Sequence, residues 1–455
     1  MSASLLTACG GEDSATLVKE AQTQLAAGEF KAAMIQLKNA IEQDENNAEA
    51  RFELGKLYLT QLNLTSAEKE FRRARDAGTA ASIVNPMIAR TLLMQQEYQR
   101  VLDELPTPAD TSPDAATLLA LRASAELGLR RPDDARKTLQ HAQQIAPNNA
   151  RVHLALAQLA LAERNPSLAT QEIDQALRLD PSHQDALIMK GNLLRASGKT
   201  AEATAVYREV IRLNPQNSDT RLALAGIAIN QNQLAEARKE VDAALKITPN
   251  SLQARYTEAL IDFQEKKIER ARDRLAAVLK TAPSFVSALL LGGAIEFALG
   301  NVQTAETHLS KVVHALPDNR YAVRLLAASQ LRLGRPDDAA RTLAPSLKAQ
   351  PDAGVLIVAG EIALAKKDFT QASSYFEQAA KLSPDNAAIR TELGISRLAQ
   401  GDSRALADLQ NAAGMEGGNN RADTVIILNQ LERKQFDAAL ASISALEKKQ
   451  AASPL

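Results

Sequence analysis

Small apolar side chains recur along this chain at a fixed phase, with larger apolar residues between them at helical spacing. One column reads Gly55, Ala89, Ala123, Ala157, Gly191, Ala225, Ala259, Gly293, Ala327, Gly360 and Gly394, with nothing larger in it. A second, running from Ala33 and Ala67 to Ala372 and Ala405, is broken only by Val101, and a third, from Ala40 to Ala412, is nearly as small. Columns of this kind mark points where helices approach closely, and a bulkier side chain there would overpack at about 1 to 3 kcal/mol. Leu54, Phe71, Leu139, Leu156, Ile173, Tyr207, Leu275, Leu309 and Phe376 fill the spaces between. The pattern predicts helix almost throughout and no sheet.

Proline punctuates the same phase. Pro113, Pro147, Pro181, Pro215, Pro249, Pro283, Pro317 and Pro351 stand 34 residues apart, and Pro384 follows after 33. Proline cannot continue a helix, because it lacks the amide and its ring clashes with the preceding turn. Asn, Asp or Ser usually follows it, as in Pro147-Asn148-Asn149 and Pro249-Asn250-Ser251, where the side chain can cap the next helix. Midway between prolines come Gly28, Gly198, Gly300, Gly334 and Gly401, which close a helix in the left-handed conformation. A helix–turn–helix unit of 34 residues is the signature of the tetratricopeptide repeat. The expected fold is therefore all-α, a tetratricopeptide-repeat (TPR) right-handed superhelical solenoid of antiparallel helix pairs. Residues 14–420 make about twelve repeats on this reading, and 421–455 begin a further one, with the Phe436-Asp437-Ala438-Ala439 turn inside it.

Two places break the lattice. In the third repeat the second helix is expected to end at Leu105, and Pro106, Pro108, Asp110 and Pro113 make an extended link, so a joint is expected near 105–115. The stretch from Ala412 to Asn420, with Gly414, Gly417 and Gly418, reads as a second soft joint. No polar capping helix follows Ala445-Leu446-Glu447-Lys448-Lys449-Gln450, as a solenoid end requires, so the natural array is expected to be longer.

Composition sharpens the picture. Apolar residues make up 45% of the 455-residue chain, yet aromatics are only 3% and Trp is absent, so the core must be built from Ala and Leu. Basic and acidic side chains number 53 and 54 and are interspersed, with no block that would track phosphates, so nucleic acid is not an expected partner. The longest apolar run, Val286 to Leu299, is interrupted by Glu296 and belongs to a repeat rather than a membrane span.

The polar residues form no enzymatic signature. His141, His153, His183, His308 and His314 have no metal-ligand spacing, and no nucleophile elbow or phosphate-binding loop is present. The pairs Asp133-Asp134 and Asp337-Asp338 follow a proline at a helix start, where acids complement the helix dipole. The reading is therefore no enzyme, no cofactor and no metal site. What a solenoid offers instead is a groove lined by the first helices of successive repeats. Counting Pro as repeat position 32, groove positions 2, 5, 9 and 12 yield Asn192, Arg195, Tyr256, Phe263, Phe297, Tyr321 and Arg324 as candidate partner contacts. Aromatic and Arg side chains are the commonest binding anchors. Padding between helices is the competing reading for Tyr256, Phe263 and Phe297. The Lys and Asn pattern that clamps a chaperone's C-terminal carboxylate is missing.

The only cysteine, Cys9, lies in Leu6-Thr7-Ala8-Cys9-Gly10, which resembles a bacterial lipobox, and Gly11-Glu12-Asp13 provides a polar tether. Residues 1–13 are then a signal remnant, lipobox and tether, and the signal is expected to be incomplete, because few residues and no Lys or Arg precede Cys9. The whole chain resembles the tetratricopeptide-repeat lipoproteins of exosortase/PEP-CTERM exopolysaccharide systems in Gram-negative bacteria. The resemblance rests on that N-terminus followed at once by repeats, on Ala33 to Ala40, on Glu49 to Gly55, on Val101 to Pro106 and on Ala445 to Gln450. It implies a scaffold on the periplasmic face of the outer membrane, held by a lipid anchor alone. Its partners would be envelope proteins, including polysaccharide-export machinery. Two alternatives stay open: a scaffold for pilus, secretin or other polysaccharide secretion, and the regulatory repeat portion of an enzyme such as a glycosyltransferase.

Overall fold

The computed structural model describes residues 13–108, 112–415 and 420–452. Cys9, Asp110, Gly417 and Gly418 lie outside the described residues. Within them the chain is entirely helical: 26 helices and no strand. It forms two compact units, divided between Leu224 and Ala225. Unit 1 contains α1 (Ser14–Ala26), α2 (Phe30–Gln43), α3 (Ala48–Thr60), α4 (Leu64–Asp76), α5 (Ala81–Met94), α6 (Tyr98–Glu104), α7 (Pro113–Gly128), α8 (Pro132–Ile145), α9 (Ala150–Ala162), α10 (Pro166–Leu179), α11 (Gln184–Ala196) and α12 (Thr200–Leu213). The division falls inside α13 (Ser218–Asn230). Unit 2 continues with α14 (Leu234–Ile247), α15 (Leu252–Gln264), α16 (Ile268–Thr281), α17 (Val286–Ala298), α18 (Val302–Ala315), α19 (Arg320–Arg332), α20 (Pro336–Lys348), α21 (Ala353–Ala365), α22 (Phe369–Leu382), α23 (Ala387–Ala399), α24 (Ala405–Ala413), α25 (Arg421–Glu432) and α26 (Phe436–Ala452).

Odd-numbered helices are the first of each repeat and even-numbered ones the second, and within each unit pairs such as α9 with α10 and α21 with α22 pack on each other and on the next repeat. The small columns are the points of contact. A Cβ on Gly55 would stand 2.7 Å from the Phe71 ring, one on Gly191 2.5 Å from Tyr207, and one on Gly360 2.6 Å from Phe376. The three rings belong to the largest fully buried side chains of the chain. Where the small residue is Ala, as at Ala123 and Ala327, the side chain sixteen residues on is Leu139 or Leu343 in the same core cluster. The rings thus all face Gly, while Leu faces Ala in some repeats and Gly in others, as Leu309 does Gly293 and Leu409 does Gly394.

Two backbone devices hold the ends of the helices. The residue two after the lattice proline caps the next helix: Asn149 accepts from the amides of Arg151 and Val152, Ser251 from Ala254, and Asn319 from Ala322. In several repeats an Arg or His near the start of the first helix also reaches back six residues to a carbonyl. Arg51 donates to Glu45 O at 2.6 Å, Arg255 to Pro249 O at 3.0 Å and Arg390 to Pro384 O at 3.1 Å, while His153 Nε2 lies 2.9 Å from Pro147 O. These contacts satisfy carbonyls beyond the end of the preceding helix.

The turn inside each repeat demands a left-handed residue. Gly28, Gly198, Gly300, Gly334 and Gly401 occupy it with φ between 74° and 80°. Leu62, Gln96, Arg130, Arg164, Asn232, Lys266, Lys367 and Lys434 hold the same place with φ between 58° and 63°. A side chain in that conformation costs about 1 kcal/mol or more. Leu62 is exposed and belongs to neither neighbouring core cluster. Leu62→Gly is therefore expected to stabilise unit 1 by about 1 kcal/mol, and Gly334→Ala to destabilise unit 2 by a similar amount, both read from urea midpoints.

At the third repeat α6 is only seven residues long, and Leu105 follows in an extended conformation. Arg122 of α7 closes its end, donating to Leu105 O at 2.5 Å and to Leu102 O at 3.3 Å. α5 packs on α7, as α7 does on α9 across a full-length α8.

Candidate functional site

In unit 2 the first helices α17, α19 and α21 enclose a cavity of about 560 Å³. Its walls come from groove positions of three successive repeats: Phe297 of α17, Arg324, Ala328 and Leu331 of α19, and Gly354, Ile357 and Glu361 of α21. Arg332, one residue beyond that stripe, completes the rim. The floor is branched aliphatic, with Leu325 and Val358 beneath.

Each charged group has a definite setting. The Arg332 guanidinium lies over the Phe297 ring, 3.9 Å from its centroid, and donates weakly to Phe297 O at 3.4 Å. Arg324 leans over the Tyr321 ring at 5.4 Å. Its Nη1 also occupies the space a side chain at residue 354 would need, since a Cβ on Gly354 would lie 2.0 Å from it. Neither guanidinium has a carboxylate within 4 Å among the described residues. Glu361 is the one acid in the wall; burial, and then the neighbouring Glu392, push its carboxyl above the usual range. Glu392, itself raised by burial, pairs with Arg421.

The candidates read from sequence fall into three groups. Phe297 and Arg324 line this one cavity, and Tyr321 supports Arg324. Tyr256 and Phe263 are half-buried on α15, packed on a core cluster, and the Tyr256 ring meets Phe285 at 5.3 Å; burial raises the Tyr256 hydroxyl above its ordinary pKa. Asn192 and Arg195 lie exposed on α11 in unit 1, where the Asn192 side-chain oxygen accepts from the buried Tyr207 hydroxyl at 2.7 Å. Arg332, Gly354 and Glu361 were missed. Gly354 and Glu361 occupy the columns of Tyr321 and Ala328 one repeat later, a signal that one dropped residue before α21 obscures.

Unit 1 carries a polar contact between its first helices. Arg90 of α5 meets Asp185 of α11 at 3.3 Å, across 95 residues, and Arg151 of α9 approaches the same carboxylate at 3.8 Å. Burial, followed by the charge of Arg151, lowers the pKa of His183, whose ring accepts from the Ala186 amide as a cap. Among the described residues no group of three or more His, Cys, Asp or Glu is placed to hold a metal ion, and no helix is long and apolar enough to cross a membrane.

Family models for the tetratricopeptide repeat match residues 120–218, 256–320 and 324–413, together more than half of the chain, and others match 23–61 and 194–261. The chain belongs to the tetratricopeptide-repeat family. No curated protein matches the sequence. Among solved structures, this tetratricopeptide protein is similar to the APC/C hetero-tetramer Cut9-Hcn1, at 16% identity and a TM-score of 0.48 over 95% of this chain and 93% of that one. It is also similar to pilF of Pseudomonas aeruginosa, at 21% identity and a TM-score of 0.43 over 48% of this chain and 99% of that one. A third likeness is to yeast Tom70, at 13% identity and a TM-score of 0.38 over 97% and 92% of the two chains.

Proposed function

We propose that this tetratricopeptide protein is a non-catalytic scaffold that takes protein partners on the first helices of its repeats, with the cavity beside Arg324 as the anchor of unit 2. The observation that carries this reading is the convergence of groove columns from three successive repeats on one concave, mostly aliphatic space with unmatched guanidiniums in its wall. Pockets that combine an apolar floor with a few convergent polar groups are the usual form of a recognition site.

The finer reading follows the N-terminal residues. Leu6-Thr7-Ala8-Cys9, with the resemblance described above, supports a lipid-anchored protein on the periplasmic face of the outer membrane, serving exopolysaccharide export or PEP-CTERM protein sorting. The test is photocrosslinking in the native cell, with benzoylphenylalanine in place of Ala328 in the cavity or of exposed Gln378 on α22. The scaffold reading expects a discrete adduct from the cavity position alone, and its envelope form expects that adduct to contain an envelope protein and Cys9 to take up labelled palmitate. Equal or absent adducts at both positions would sink the scaffold reading. A cytosolic, unlabelled protein would sink the envelope one.

A further inference from the structure

We propose that the cavity between α17, α19 and α21 binds an internal acidic–aliphatic peptide segment, in which the side-chain carboxylate of a Glu or Asp sits beside a branched aliphatic residue. The inference rests on the reading of this cavity as a partner site and adds the chemistry of what enters it.

Charge complementarity fixes the acid. Many arginines of unit 2 are matched by carboxylates, as Arg335 by Glu306, Arg341 by Asp338, Arg397 by Asp408 at 2.5 Å and Arg238 by Asp262 at 2.7 Å, and others, such as Arg255, Arg320 and Arg390, donate to backbone carbonyls. Arg324 and Arg332 stand in one wall with no carboxylate within 4 Å among the described residues. Each rests on an aromatic ring instead, which positions a guanidinium while leaving its N–H groups open to a carboxylate. Glu361, the one acid in the wall, forms an ion pair with neither of them.

The floor fixes the neighbour. Leu331, Ile357 and Val358 are aliphatic, and Arg332 lies over the Phe297 ring, so the surface offered to a ligand is mainly aliphatic. Gly354 completes the geometry. At that place any larger residue would drive the Arg324 head out of the wall, and the displaced atoms are the free end of a flexible side chain, so the helix itself would survive the change.

The test is fluorescence anisotropy of the full chain with acetylated, amidated peptides carrying a Leu-Glu-Leu-Glu core between Gly-Ser flanks, against the same peptide with Gln, and a Gln peptide ending in a free carboxylate. The Glu peptide should bind roughly tenfold more tightly than either Gln peptide. Arg324→Met and Gly354→Ala should each remove that preference while leaving the urea midpoint essentially intact, apart from a small gain in stability for Gly354→Ala. Equal binding of Glu and blocked Gln peptides would overturn the acidic assignment, and preference for the free-carboxylate Gln peptide would overturn the internal one. Absence of all binding, alongside a discrete crosslink from residue 328 in cells, would overturn the peptide chemistry and leave the scaffold standing. Absence of both would remove the two together.

Discussion

Asp262→Ala is expected to destabilise unit 2 by about 3 to 5 kcal/mol, the cost of removing one partner from a buried ionic cluster. Asp262 is fully buried in α15, and its carboxylate joins three consecutive helices. Arg238 of α14 donates to one oxygen at 2.7 Å, while Arg274 and Arg270 of α16 approach the other at 3.0 and 3.3 Å. Without the acid, three guanidiniums crowd around an apolar hole, and only Arg238 and Arg274 have second partners, in Glu265 and Glu258. Asp262→Asn keeps the shape and one acceptor, so it should cost less, about 1 to 3 kcal/mol. Arg270→Ala removes a half-exposed member and should cost no more than about 1 kcal/mol. Urea unfolding followed by circular dichroism reads all three, with the loss confined to the transition of unit 2 if the units unfold separately. Equal losses for Asp262→Asn and Asp262→Ala would show that packing, and not charge, sets the cost.

Asp262 also shows where sequence reading stops. Nothing around it in Leu260-Ile261-Asp262-Phe263 distinguishes it from an exposed acid, because the arginines that bury it are supplied by neighbouring helices. The repeat lattice was legible because small residues and prolines are local demands, repeated often enough to be seen without any contact map. The left-handed turn was legible at Gly28 or Gly300 and invisible at Leu62 or Lys266, where packing on either side imposes the same φ on a residue that does not favour it. For the site, Phe297, Tyr321 and Arg324 could be named from their columns, since side-chain type and phase suffice. That the half-buried Tyr256 ring meets Phe285, which lies in the loop before α17, could not be read from its column. Arg332 sits outside the groove columns and joins the cavity only because Phe297, one repeat earlier, provides a ring to stack on.

Phe376→Ala is expected to cost about 3 to 5 kcal/mol, because it empties the centre of the cluster formed with Ala363, Ala372 and Leu393. The partner substitution tests why the ring is there. In Gly360→Ala the new methyl would lie 2.6 Å from Cε1 and Cζ of Phe376, and a ring with no exposure has nowhere to move. Overpacking of that kind costs about 1 to 3 kcal/mol, against roughly 1 kcal/mol regained from replacing Gly in a helix. Combining Gly360→Ala with Phe376→Leu recreates the arrangement of Ala123 with Leu139 and of Ala327 with Leu343. The double variant should therefore be more stable than either single one predicts, with a favourable coupling of about 1 to 3 kcal/mol in a double-mutant cycle. Additive losses would mean that the two positions are small and large for separate reasons. Measurable coupling would establish that this repeat divides its volume between its two helices, so that a ring on the second helix requires Gly on the first.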